Sequence, residues 1–277
     1  MSSQNTGTVV LVVVAMTSFI TAFGSNATNL AIPSIGMEFG ASALVLSWIV
    51  SSYVLASAAT LTSFGRLADL AGRKRIQFTG VCAFAITSLA CALAPSVELL
   101  IIARVLQGIG AAMIFSTVNA LISSVFPRAV RGRALGLATA ATYSGLSAGP
   151  VIGGFLCENL GWRSIFLLNV PVCAVAAVLM FLYLKGEWKG SPGEKFDTGG
   201  SMLYIGLSSL STLAAAQFLL AAGLGLVAGF VAYEKRQANP LVRVDLYSRN
   251  RHFLLSNLAA MINYSATSAL IFVLSLH

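Results

Sequence analysis

Six mostly apolar runs follow one another through the first two thirds of the chain, at 9–32, 44–64, 76–94, 99–122, 134–155 and 165–184, separated only by short polar connections. A hydrocarbon layer about 30 Å thick is crossed by roughly 20 helical residues, and a backbone inside it must satisfy its own hydrogen bonds, so runs of this length predict membrane-spanning helices. Composition agrees. Only 9% of the 277 residues are charged and 57% are hydrophobic, whereas a soluble domain carries about a quarter charged. The expected fold class is an all-α polytopic membrane protein, with residues 1–184 forming a six-helix bundle.

After the sixth run comes a connection rich in glycine and charge, 185–197, which marks a boundary. The next apolar region, 198–233, is too long for one comfortable span and just long enough for two. Charge chooses between them. With an inward N-terminus and two crossings here, 15 of the 17 Lys and Arg residues fall in inward-facing loops, the exceptions being Arg104 and Arg163. A single crossing would put the bases of the 234–252 loop on the outside. The expectation is a hairpin over 198–233 turning near 217–225, a cytoplasmic loop at 234–252 and a last helix at 253–277.

The formal charge of +8 is therefore an orientation signal, and no nucleic-acid partner is expected. Cys82, Cys91, Cys157 and Cys173 lie in or beside apolar runs without metal-ligand spacing, so neither a metal nor a cofactor is expected. His252 and His277 are isolated, no nucleophile–base arrangement stands out and there is no phosphate-binding loop, which argues against an enzyme. Residues 1–8 contain no base, and the first run reads as a retained span rather than a cleaved signal.

Between the second and third runs stands G-R-L-A-D-L-A-G-R-K-R, from Gly65 to Arg75. Four cations and Asp69 exclude it from hydrocarbon, so it marks a membrane face. Gly65 and Gly72 permit turning or close approach, and Asp69 can pair with Arg73 or Arg131. In this position the pattern resembles the signature loop of the major facilitator superfamily, which braces the first six-helix bundle against a second in one conformational state. That role, and a membrane face shared by Arg73 and Arg131, are what the resemblance implies here.

The fourth run contains Arg104, Gln107, Gly108 and Gly110. A cation at that depth either points into the bundle or snorkels to the interface. The two glycines remove bulk where another helix can pack. The arrangement resembles the family's fourth-helix motif, whose arginine is implicated in proton-linked transport.

The fifth run carries Gly145, Gly149 and Gly153 at four-residue intervals, with Pro150 and Gly154 among them. Such a stripe is smooth enough for another helix to approach closely, and the proline removes one helical donor and predicts a bend or weak point. This is similar to the antiporter motif of facilitator exporters. In the first run, N-A-T-N-L-A-I-P from Asn26 to Pro33 resembles the first-helix motif of the fourteen-span drug:proton antiporters, the EmrB/QacA-like group. One departure stands out, because that group often places an aspartate where Gly24 lies, and none of the nine acidic residues here sits well inside a run.

The resemblance implies a complete first bundle, an inserted hairpin and the first helix of an incomplete second bundle, about five helices short of the group's pattern. It implies efflux of a small amphipathic compound in exchange for protons, by a multi-pass protein of the plasma membrane with a cytoplasmic N-terminus and lipid around it. A specific metabolite exporter is one alternative. The other is an inactive half-transporter with a scaffold role, or one whose second bundle a partner supplies. Asn26, Asn29, Gln107, Asn119 and Tyr143 are candidate cavity contacts, with the alternative that they bond helix to helix. Phe19, Phe23, Phe115 and Phe166 either line the same cavity or pack.

Overall fold

The computed structural model describes residues 3–191, 196–213, 229–230, 232–233 and 255, and every regular element among them is an α-helix. In chain order these are α1 (Ser3–Phe39), α2 (Ala43–Ala71), α3 (Arg73–Ala92), α4 (Val97–Val125), α5 (Arg128–Leu160), α6 (Arg163–Tyr183) and α7 (Thr198–Leu213). The first six match the six apolar runs one for one, with the third and sixth runs ending one or two residues past their helices. Most are longer than the runs, because the backbone stays helical where the chain has left the apolar layer. At 37 residues, α1 is about 55 Å long, well beyond the hydrocarbon thickness.

α1, α2, α3, α4 and α6 are long and apolar enough to cross a membrane. α5 has 33 residues but is rich in Gly, Ala, Ser and Thr, a composition suited to packing rather than to facing lipid. It runs parallel to α1, with Gly145 against Phe19 and Gly153 against Ala27.

The polar segment 65–75 differs from the loop that its charge suggests. α2 continues to Ala71 and α3 starts at Arg73, so Gly72 alone is non-helical. Its φ of +124° is a conformation that side-chain-bearing residues avoid, and it turns the chain in a single step. Gly65 makes no turn; it lies within α2, and a methyl there would meet only Ser116 Cβ at an ordinary 3.7 Å.

Arginines close one end of the bundle. Arg73 donates to Ala120 O (3.1 Å) and Ser124 Oγ (2.6 Å), and Arg131 to Ser123 O (2.8 Å) and Phe126 O (3.3 Å). Arg131 thus takes up free carbonyls at the C-terminal end of α4 and Arg73 groups in its last two turns; both cations lie near the negative end of that helix dipole, at the same end of the molecule. At the opposite end Glu38 takes a forked ion pair from Arg163, at 2.7 and 2.8 Å, and a bond from Trp162 Nε1 at 2.7 Å. Arg163 also reaches Ala94 O (3.4 Å), so α1, the α3–α4 turn and the start of α6 are pinned together.

α7 packs against α2. The two ends of the 198–233 region meet, since the Phe230 and Tyr204 rings lie 5.7 Å apart at a 53° tilt and Tyr233 Oη donates to Asp197 Oδ1 at 3.4 Å. The turn expected at 217–225, the loop at 234–252 and, Leu255 apart, the helix at 253–277 lie outside the described residues.

Candidate transport site

Small residues determine how closely the helices approach. A Cβ on Gly145 would stand 2.3 Å from Phe19 O, one on Gly149 2.9 Å from Asn26 Cβ, and one on Gly153 2.7 Å from Ala27 Cβ. All are shorter than real contacts allow, so α1 and α5 meet backbone to backbone through these three positions. Gly154 stands outside that seam, 3.7 Å from Leu30. On α4, Gly108 admits α2, whose Tyr53 carbonyl would lie 2.4 Å from a Cβ, and Gly110 admits α3 at Phe84.

Pro150 leaves α5 continuous from Arg128 to Leu160. The acceptor it strands is Leu146 O, four residues earlier, and Asn26 Nδ2 of α1 donates to that oxygen at 2.7 Å. Asn26 is therefore committed to helix pairing, not turned to the cavity. Asn29 donates to Asn26 Oδ1 (3.4 Å) and is exposed.

Arg104 is 1% exposed, so it points into the bundle and does not snorkel. Its Nε donates to Ile49 O (3.0 Å) and its Nη1 to Gln107 Oε1 (2.6 Å), while the guanidinium stands over the Tyr53 ring at 4.2 Å. Gln107 in turn donates to Ser88 Oγ (2.6 Å), which also receives Asn169 Nδ2 (3.4 Å). Arg104 Nη2 and Asn169 Oδ1 have no hydrogen-bond partner among the described residues. The far end of this network reaches Gly24, where a Cβ would lie 3.2 Å from Asn169 Nδ2. Ser88, Asn169 and Tyr53 were not singled out from sequence; they lie on α3, α6 and α2, so no spacing along the chain ties them to Gln107 or Arg104.

A second buried network joins α1, α3 and α4. Gln77 donates to Thr17 Oγ1 (3.1 Å) and accepts from the Thr117 hydroxyl.

At the α2–α3 junction Asp69 pairs with Arg73, its Oδ1 2.7 Å from Nη2 and 2.9 Å from Nε. The alternative partner, Arg131, is held on α4.

A part-open cavity of about 480 Å³ lies among α1, α2, α4 and α5. Ser18, Thr21, Ser25, Ser57, Asn119, Thr139, Thr142 and Tyr143 give its wall hydroxyl and amide groups; Ala22, Leu61, Phe115, Val118 and Leu146 give apolar surface. Among the described residues no charged side chain lines it. Tyr53 belongs to this wall, so the Arg104 cation sits directly behind its ring. Of the sequence candidates, Asn119, Tyr143 and Phe115 face the cavity. Gln107 is in the Arg104 network, Phe166 is buried beside it at 5.9 Å, and Phe19 and Phe23 stack on each other along α1. Polar atoms on an apolar wall can orient an amphipathic molecule while greasy surface excludes water from it.

Known proteins share both sequence and fold with this chain. The multidrug resistance protein Stp of Mycobacterium tuberculosis is 37% identical over 79% of the chain and 43% of its own length. The cephamycin export protein CmcT of Amycolatopsis lactamdurans is 35% identical over 89% of the chain and 54% of its own length. The structure of the proton:xylose symporter XylE superposes with a TM-score of 0.60 at 14% identity, over 85% of this chain and 55% of that one. The chain thus spans about half the length of the relatives it matches. The pattern of the Major Facilitator Superfamily matches residues 14–276, and with a bundle of this architecture the chain is a multi-pass membrane protein belonging to that superfamily.

Proposed function

We propose that the chain contributes the first bundle and an inserted hairpin to a fourteen-span secondary exporter, which moves a small amphipathic compound outward in exchange for protons. The cavity carries this reading: it lies on one side of a tightly seamed bundle, lined by uncharged polar groups and apolar surface, where a second bundle would complete a central site. In that arrangement Asn119 and Tyr143 contact the substrate and the 65–75 junction faces the moving partner bundle. The exporting relatives and the glycine–proline pattern of α5 support outward drug movement. The meeting of Asp197 with Tyr233 supports a hairpin over 198–233 that leaves and returns at one membrane face.

The basic end is cytoplasmic in this reading, in the plasma membrane, because Lys and Arg are retained on that side. Every acidic side chain among the described residues lies toward an end of the bundle or in the segment after α6, so in this reading the coupling proton would be carried by a group outside them.

The test is substrate-driven proton flux by the full polypeptide in liposomes. Amphipathic compounds are expected to dissipate an imposed pH gradient, with Asn119→Ala and Tyr143→Ala raising KM. Absence of flux across a broad panel would remove the proposal, and competition confined to one compound class would replace it with a specific metabolite exporter.

A further inference from the structure

The segment that follows α6 does not leave the bundle. It crosses the α2–α3 junction as a strap and takes the free backbone donors there. An α-helix begins with amides that have no intrahelical acceptor. At α3 the N-cap is Gly72, which has no side chain to offer, and the next three residues, Arg73, Lys74 and Arg75, are cations at the positive end of the helix dipole. This start requires an acceptor, preferably an anion, from elsewhere.

Residues 184–191 supply it. Trp188 O accepts Arg73 N at 2.8 Å, and the Glu187 carboxylate accepts Lys74 N at 2.8 Å and Arg75 N at 3.1 Å. The junction answers in kind, with Gly190 N and Ser191 N donating to Asp69 O at 3.0 and 3.1 Å and Lys74 Nζ to Leu184 O. The fit is steric on both sides. A Cβ on Gly72 would come within 2.4 Å of Glu187 Cδ, and one on Gly190 within 2.6 Å of Asp69 Oδ1 and 2.7 Å of Arg73 Nη2. The strap therefore covers the Asp69–Arg73 pair.

We propose that Glu187 is a positioning residue of the transport cycle, whose carboxylate caps α3 and clamps the 184–191 strap over the Asp69–Arg73 pair. A second bundle can engage that pair only after the strap lifts. The strap joins the bundle to the 198–233 region, so its docking links that region to the junction. This rests on the transport reading above and adds to it a residue that touches neither substrate nor cavity.

The test compares wild type, Glu187→Ala, Glu187→Asp and Gly190→Ala in the full polypeptide, by amide hydrogen exchange in detergent and by transport in liposomes. In Glu187→Ala, protection at Lys74 and Arg75 is expected to fall at least about tenfold, the scale of a lost charge-assisted bond, while the α1–α5 seam is unchanged. Turnover per folded molecule changes with KM constant, Glu187→Asp recovers part of both effects, and Gly190→Ala reproduces them without removing a charge. Unchanged exchange at residues 73–75, or unchanged turnover per folded molecule with only the yield reduced, would overturn the assignment. Wild type that carries no substrate-driven flux defeats the transport reading instead, and the exchange arm then decides the strap alone.

Discussion

Asn26 and Pro150 are a matched pair: the proline deprives Leu146 O of its helical donor, and the asparagine of the neighbouring helix replaces that donor at 2.7 Å. Asn26→Ala is expected to cost about 0.6–2 kcal/mol, the range between hydrogen bonds measured inside membranes and a fully stranded buried carbonyl. Pro150→Ala returns an amide to α5 at an exposed position, so it should remove most of that cost. A double-mutant cycle on unfolding in detergent measures the coupling, and additive effects would contradict the pairing.

The α1–α5 and α2–α4 contacts separate glycines that are needed from those that are not. Gly145→Ala and Gly108→Ala each drive a methyl against a backbone oxygen that cannot turn aside, with an expected loss of about 2 kcal/mol or more. Gly136 has nothing within 4 Å of its would-be Cβ, and Gly136→Ala should stabilise by up to about 1 kcal/mol through helix propensity. Thermal midpoints of the three purified variants check the order.

Buried charge predicts an inversion at Arg104. Gln107→Leu leaves the guanidinium without its Nη1 acceptor and Ser88 without its donor, at an expected cost of about 3 kcal/mol. Arg104→Met removes the charge along with its need for partners and leaves the Gln107–Ser88 bond intact, so it should fold better than Gln107→Leu. The two melting curves in the same detergent decide it; the reverse order would mean that the guanidinium is solvated by groups outside the described residues.

Gly24→Asp would set a carboxyl against Asn169 in a packed position, where a Cβ already stands 3.2 Å from Asn169 Nδ2. Gly24→Ala and Gly24→Asp should both lower the thermal midpoint in detergent, the second by more because it also brings a polar group into an apolar interior. Equal midpoints for the two would show that the site is wet.

Some of this was readable before any coordinates. Glycines every four residues on α5 have one physical use on a packed face, and the seam lies where they are. Arg104 and Gln107 stand out together in the fourth run, and their three-residue separation sets them within one helical turn, where they bond. Asn26 stands among the candidate cavity contacts with helix pairing as the alternative, and its bond to Leu146 O goes with the alternative: an amide looks the same whether it faces water or a carbonyl, and only the register of α1 on α5 brings it to Leu146. The proline rule held the clue, since every helical proline strands the carbonyl four residues earlier. The charged junction was read as a loop because charge reports where a segment lies relative to lipid, not its backbone conformation. Glu187 escaped notice for a topological reason, its partner amide being 113 residues away.

At its three glycines the α1–α5 contact brings main chain close to main chain, and long side chains are what let packed helices slide by changing rotamer. Main chain laid on main chain has no such slack. Tyr143 on α5 and Ser25 on α1 should therefore keep a fixed separation, and in the transport reading proposed above a guest of a different size would be met by displacement of the whole six-helix body, as a jaw adjusts by its hinge and not by its teeth.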